Sequence, residues 1–136
     1  MQLSWSHISL HLADSFKTAK ATRTDKQTLW VKVAQDNIVG WGEAAPVDTY
    51  RQSLESAEKA LLAMAPMLVD RHPLDIEDTV GLLLDRFDDQ LATVAAVDAA
   101  LHDWAGKRFD VPTYQWLGLK AAYPFVTSFT IGIDEP

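Results

Sequence analysis

The chain has no cysteine, so disulfides, thiolate nucleophiles and thiolate metal sites are excluded, and a reducing cytoplasm is the expected location. It has no apolar run near the roughly 20 residues that span a bilayer. The opening MQLSWSHISL has no basic segment ahead of an apolar one, which argues against a secretory signal. Positive charge is scarce. Twelve Lys and Arg stand against nineteen Asp and Glu, a formal net charge of −7, which argues against a nucleic-acid partner because most of the surface would repel phosphate. There is no internal repeat, no glycine-rich phosphate loop and no acidic cluster with metal-ligand spacing. What is left is one domain: 136 residues of which 48% are hydrophobic can bury a core of its own.

The first half alternates with a period of two. Leu3 and Trp5 face one way and Ile8, Leu10 and Leu12 the other, which predicts a first strand with a register slip near Ser6-His7. Leu29, Val31 and Val33 alternate with Trp30 and Lys32, Asp36-Asn37 is a turn signal, and Ile38 to Ala44 forms a third strand. Gly40 and Gly42 fall on one face, where a neighbouring backbone can approach closely. The second half turns helical. From Ser53, residues Leu54, Ala57, Leu61, Met64 and Leu68 mark one apolar face, and Pro66 is expected to end or kink that helix near Ala65. Pro73 opens a second helix with Ile76, Val80, Leu83 and Phe87. A third runs from about Ala92 to Lys107, with Val94, Val97, Leu101 and Trp104 on one stripe and many alanines for close packing. A short turn follows from Val111 to Leu117, stopped by Gly118. Strands followed by helices make an α+β domain, a three-stranded antiparallel meander with a helical bundle. Residues Phe125 to Ile133 alternate again and end in Asp134-Glu135-Pro136, the start of a helix that does not follow. The expected division is a domain over 1–120 and, over 121–136, a linker with an unpaired strand, as if the chain were interrupted.

Two connections stand out. The first, from about Ala13 to Gln27, is longer than a hairpin loop of two to five residues. It holds Lys17, Lys20, Arg23 and Lys26, a third of the positive side chains. Its composition fits a solvated surface loop; the functional alternative is a mobile flap that meets an anionic ligand such as a carboxylate. The second, from Glu43 through Pro46 to Tyr50 and Arg51, leaves the third strand at the same end of the sheet, where two loops together can close a pocket. His7 and His11 read as sheet-surface residues, His102 and Asp98 as packing residues, and Glu43 as a carboxylate at a strand end. None builds a catalytic constellation. Thr130 lies on the small polar face of the last strand, which points at a ligand if that strand lines a barrel.

Gly40-Trp41-Gly42-Glu43-Ala44 resembles a strand-end motif of the mandelate racemase and muconate lactonizing enzyme branch of the enolase superfamily. The run Ala96-Val97-Asp98-Ala99-Ala100-Leu101-His102-Asp103-Trp104-Ala105-Gly106-Lys107 resembles that branch's last capping-domain helix, and Val111-Pro112-Thr113-Tyr114-Gln115-Trp116-Leu117-Gly118 its continuation. Three further segments are similar to dipeptide epimerases: Phe16-Lys17-Thr18-Ala19, Tyr50 to Ser56, and Thr127 to Asp134. The resemblance implies an N-terminal capping domain whose two loops close over a (β/α) barrel, Thr130 being on its first strand. It implies a homo-oligomeric parent enzyme that removes and returns a proton beside a carboxylate through an enediolate. Magnesium is the implied cofactor and a dipeptide the substrate, with no membrane partner. The lysines and metal ligands belong to barrel strands, so no catalytic or metal residue is assigned to this chain, which alone is expected to be inactive. The substrate-binding positions carried over are Phe16, Ala21, Arg23, Tyr50 and Thr130. Ala21 stands where some members carry an arginine for an acidic side chain, with Arg23 two residues later, a departure that argues against an Ala-Glu preference. The competing readings are a cap of a muconate cycloisomerase or o-succinylbenzoate synthase-like enzyme, and a freestanding non-catalytic α+β binding module.

Overall fold

The computed structural model describes residues 1–17, 22–120, 124 and 126–128. Three strands, β1 (Gln2–Lys17), β2 (Thr22–Gln35) and β3 (Ile38–Ala44), form an antiparallel sheet in chain order. A 3-10 turn (Asp48–Tyr50) leads to α1 (Leu54–Leu68), α2 (Ile76–Arg86), α3 (Leu91–Phe109) and the single turn α4 (Thr113–Trp116). The α+β expectation holds. Among the described residues, no helix is long and apolar enough to cross a membrane.

Asp36 and Asn37 join β2 to β3 with φ of 52° and 62°. Two left-handed residues give the turn whose twist matches the strands, and short Asp and Asn side chains tolerate that conformation. The hairpin places Leu29, Val31 and Val33, all fully buried, on the face toward the helices. Opposite them lie Ala57, Leu61, Met64 and Leu68 of α1 and Val94, Val97, Leu101 and Trp104 of α3, also buried. Ser53 caps α1 through a capping box with Ser56.

Helix α3 lies directly on β3. A Cβ at Gly40 would fall 2.0 Å from the Ala100 carbonyl oxygen, and one at Gly42 1.9 Å from that of Ala96. Glycine on the strand and alanine on the helix are therefore two halves of one close seam. Polar groups of α3 also close the outer edge of β3. The Trp41 N–H donates to Asp103 Oδ2 at 2.8 Å, and Lys107 Nζ donates to the Val39 carbonyl at 2.9 Å and to Asp103 Oδ2 at 2.6 Å. An edge strand whose free backbone groups are taken in this way is a poor template for another strand. On the face away from the helices, Trp30 and Trp41 meet edge to face, ring centroids 5.7 Å apart, with Lys32 Nζ 4.4 Å from the Trp41 ring centre.

Four expectations need correction. The connection from Ala13 to Gln27 is not a loop: β1 runs to Lys17 and β2 starts at Thr22, so most of it is a two-stranded ribbon. The ribbon projects past the helices, so no core imposes apolar alternation on it, and backbone pairing carries it. The slip near Ser6-His7 is absent, because pairing is continuous from Gln2↔Ala34 to His11↔Asp25. What changes there is the covering. Leu3 is buried and Trp5 half-buried against the helices, whereas farther along the apolar side chains Ile8, Leu10 and Leu12 lie on the opposite face. The actual shift lies between His11 and Phe16, where residues 12–15 oppose Thr24 alone. Helix α1 continues through Pro66 to Leu68. The proline removes a bond only to the Leu62 carbonyl, on the exposed side of the last turn, where water can replace it. Helix α2 begins at Ile76, after a turn at Pro73 and Leu74, so Pro73 precedes the helix rather than opening it. The strand expected over Phe125 to Ile133 falls largely outside the described residues.

Candidate functional site

Antiparallel order brings the end of β1, the start of β2 and the end of β3 to one end of the sheet. The ribbon and the segment 45–53 leave from there side by side. At the ribbon's base, directly opposed pairs hold the strands together: Gln27 Nε2 donates to Ser9 Oγ at 2.7 Å, and His11 Nδ1 lies 3.0 Å from Asp25 Oδ1. Thr24 Oγ1 donates to Asp25 Oδ2 at 2.9 Å. The hydrogen bonds from His11 and Thr24 hold the Asp25 carboxyl below its ordinary value of 3.8. A depressed carboxyl stabilises the ribbon above that value and loses the contribution as pH falls through its folded value. Titration of the Asp25 carboxyl carbon by NMR is expected to show a midpoint under 3.8 that moves up in His11→Ala; a midpoint at or above 3.8 in the native chain contradicts the pairing.

The segment 45–53 is compact. Pro46 is buried, the Tyr50 N–H donates to the Val47 carbonyl and the Arg51 N–H to the Asp48 carbonyl, each at 2.9 Å, and Arg51 is left-handed with φ 58°. Lys26 Nζ donates to the Pro46 carbonyl at 3.3 Å, tying ribbon to segment. Between them is a hollow of about 250 Å³ bordered by Arg23, Lys26 and Asp48. On its other side the segment borders a cleft of about 720 Å³ that it shares with Asp88 and Asp89 from the turn before α3 and with Leu91 and Ala92 at the start of that helix.

Of the carried-over positions, Phe16 and Arg23 pair directly across the ribbon, Phe16 half-buried and Arg23 exposed. Tyr50 stands 75% exposed over the cleft. The structure thus brings Phe16, Arg23 and Tyr50 to one end of the sheet, while Ala21 and Thr130 lie outside the described residues. Glu43 is an exposed carboxylate near the end of β3. His7 meets Glu58, 3.2 Å away, on the surface, and His102 accepts from Trp116 Nε1 at 3.2 Å with Asp98 3.4 Å away, a packing arrangement. Sequence reasoning missed Lys26 as a bridge, because its acceptor is a backbone carbonyl twenty residues on. It also missed Gln52, which is buried and accepts from the Ala92 N–H at 3.1 Å. Among the described residues no three His, Asp or Glu side chains are grouped so as to hold a metal ion.

The family model of the mandelate racemase/muconate lactonizing enzyme N-terminal domain matches residues 6–118. The chain belongs to that family. Its N-terminal-domain fold is shared with solved dipeptide epimerases. That of Enterococcus faecalis, complexed with Mg and L-Leu-L-Tyr, superposes with a TM-score of 0.88 at 24% identity, over 98% of this chain and 38% of that one. That of Cytophaga hutchinsonii, complexed with Mg and D-Ala-L-Val, gives 0.86 at 25% identity, over 100% and 38%. The L-Ala-D/L-Glu epimerase of Bacteroides thetaiotaomicron is 30% identical over 136 residues, all of this chain and 35% of that protein. The chain spans about a third of the length of the curated relatives it matches.

Proposed function

We propose that this member of the family is the substrate-selecting cap of a dipeptide epimerase, with 1–120 as the capping domain and 121–136 as linker and first barrel strand. The observation that carries the proposal is the convergence of the ribbon and the segment 45–53 at one end of the sheet, with Arg23 and Tyr50 exposed there. A solvent-facing cation and a phenol on two adjacent segments can close over a small polar ligand and select its side chains. The part of the described residues in this reading is to bind the ligand and exclude water. In this reading proton removal beside the substrate carboxylate, the enediolate and the magnesium-dependent chemistry belong to barrel residues. Phe16 would pack the ribbon onto the ligand, Ala21 would leave room for a side chain, and Thr130 would face the substrate from the first barrel strand.

The test is exchange of the α-hydrogen. The enzyme that carries this cap, incubated with magnesium and a dipeptide library in deuterium oxide, is expected to give a mass gain of one at the second residue of a subset of dipeptides. Exchange confined to N-succinyl amino acids, or cycloisomerisation without exchange on any dipeptide, overturns the assignment.

A further inference from the structure

Helix α3 starts without a cap of its own. Gln90, at the N-cap position, makes no side-chain capping bond, and the first turn holds no acid. Gln52 supplies what is missing: its Oε1 accepts the Ala92 N–H at 3.1 Å, from 40 residues earlier in the chain. Gln90 in turn reaches the start of α1, its Oε1 3.1 Å from Ser56 Oγ, whose single proton it shares with the Ser53 carbonyl at 3.0 Å. Ser56 is the residue that closes the capping box with Ser53, the Ser53 N–H donating to Ser56 Oγ at 2.9 Å and the Ser56 N–H to Ser53 Oγ at 3.1 Å. The starts of α1 and α3 are therefore cross-linked by two glutamines, 8% and 7% exposed, each serving the other's helix. Because Gln52 directly follows Arg51, this latch also fixes the far end of the segment whose near end is held by Lys26 at Pro46. Tyr50 and Arg51 lie between the two pins, above the cleft.

We infer that Gln52 is a positioning residue for substrate selection: by capping α3 it holds Tyr50 and Arg51 where they meet the ligand, without facing the ligand itself. The selective role rests on the proposed cap function; the latch does not. Leucine nearly matches glutamine in volume and has no acceptor, so in Gln52→Leu the Ala92 N–H loses its partner while the packing is kept. Loss of one buried hydrogen bond changes an opening equilibrium by about 10-fold. In the 136-residue chain, hydrogen exchange at the Ala92 amide is expected to speed up about 10-fold in Gln52→Leu, with faster exchange at Tyr50 and Arg51. Gln52→Glu keeps an acceptor at a helix N-terminus, where negative charge is favoured, and is expected to keep Ala92 protected. This second variant carries the test if the leucine variant does not fold. Unchanged Ala92 exchange in the folded leucine variant, or loss of protection in the glutamate variant, overturns the latch. In the enzyme that carries this cap, Gln52→Leu is expected to change the ratio of KM values between dipeptides with different side chains while kcat stays within about twofold. Faster Ala92 exchange with KM ratios unchanged overturns the positioning role. An enzyme that exchanges no dipeptide removes the cap reading, and the amide exchange then still reports the latch separately.

Discussion

Gly40→Ala is expected to destabilise the domain by about 3 kcal/mol, the upper end of the usual range for overpacking and a large part of the roughly 5–15 kcal/mol available to a domain of this kind. The added methyl would sit 2.0 Å from the Ala100 carbonyl oxygen and 2.7 Å from the Trp104 backbone nitrogen. Both are backbone atoms of a helix, so no side-chain rotation relieves the clash, and α3 has to lift from β3. Lifting it also draws the Trp104 indole from the Gln35 carbonyl, 3.1 Å away, and Asp103 and Lys107 from the strand edge. Gly81→Ala is the control with the opposite sign. Nothing lies within 4 Å of the added methyl on α2, and alanine in a helix interior gains about 0.5–1 kcal/mol over glycine. Urea unfolding followed by circular dichroism is expected to lower the midpoint for the first variant and raise it for the second. A midpoint for Gly40→Ala within experimental error of the parent would mean that the seam is not closed in solution.

The second large effect is functional. In the enzyme that carries this cap, Arg23→Ala is expected to raise KM for dipeptides with an acidic side chain by about 10- to 100-fold, the range for losing a hydrogen bond to a charged group. Neutral dipeptides are expected to change less than about twofold, and kcat to hold for both, since binding that is equal in ground and transition states appears in KM alone. Arg23 is exposed on the ribbon, opposite Phe16, and forms no ion pair among the described residues. If KM for acidic and neutral dipeptides moves together or not at all, Arg23 is a solvated cation on a surface ribbon. The relative from Bacteroides thetaiotaomicron acts, by its name, on L-Ala-D/L-Glu, which makes acidic dipeptides the informative substrates.

The parts of this fold legible in the sequence are those where a local pattern has one physical solution. Gly40 and Gly42 on one strand face, with alanines at helical spacing along 92–107, indicate a close backbone contact, and the structure places Ala96 and Ala100 there. Asp36-Asn37 can make a tight hairpin, and Ser53 three residues before Ser56 can start a helix. The ribbon was illegible because its cohesion comes from backbone pairing and from pairs such as His11 with Asp25, fourteen residues apart, rather than from burial. Pro66 misled because a breaker costs little on the exposed side of a final turn. For the candidate site, Arg23 and Tyr50 were visible as chemistry, and antiparallel strand order alone put their two segments at one end of the sheet. Gln52 was invisible, since a glutamine whose partner is a backbone N–H 40 residues away leaves no mark on local spacing.

The paired indoles of Trp30 and Trp41 offer an optical gauge. At 5.7 Å and 82° their electronic transitions are close enough to couple and to split into bands of opposite sign in circular dichroism. Trp30 sits on the strand that descends from the ribbon, and Trp41 on the strand that leads into 45–53. A ligand that shears one segment against the other would therefore alter this couplet while leaving the helical signal in place, so closure of the two segments is readable without a label.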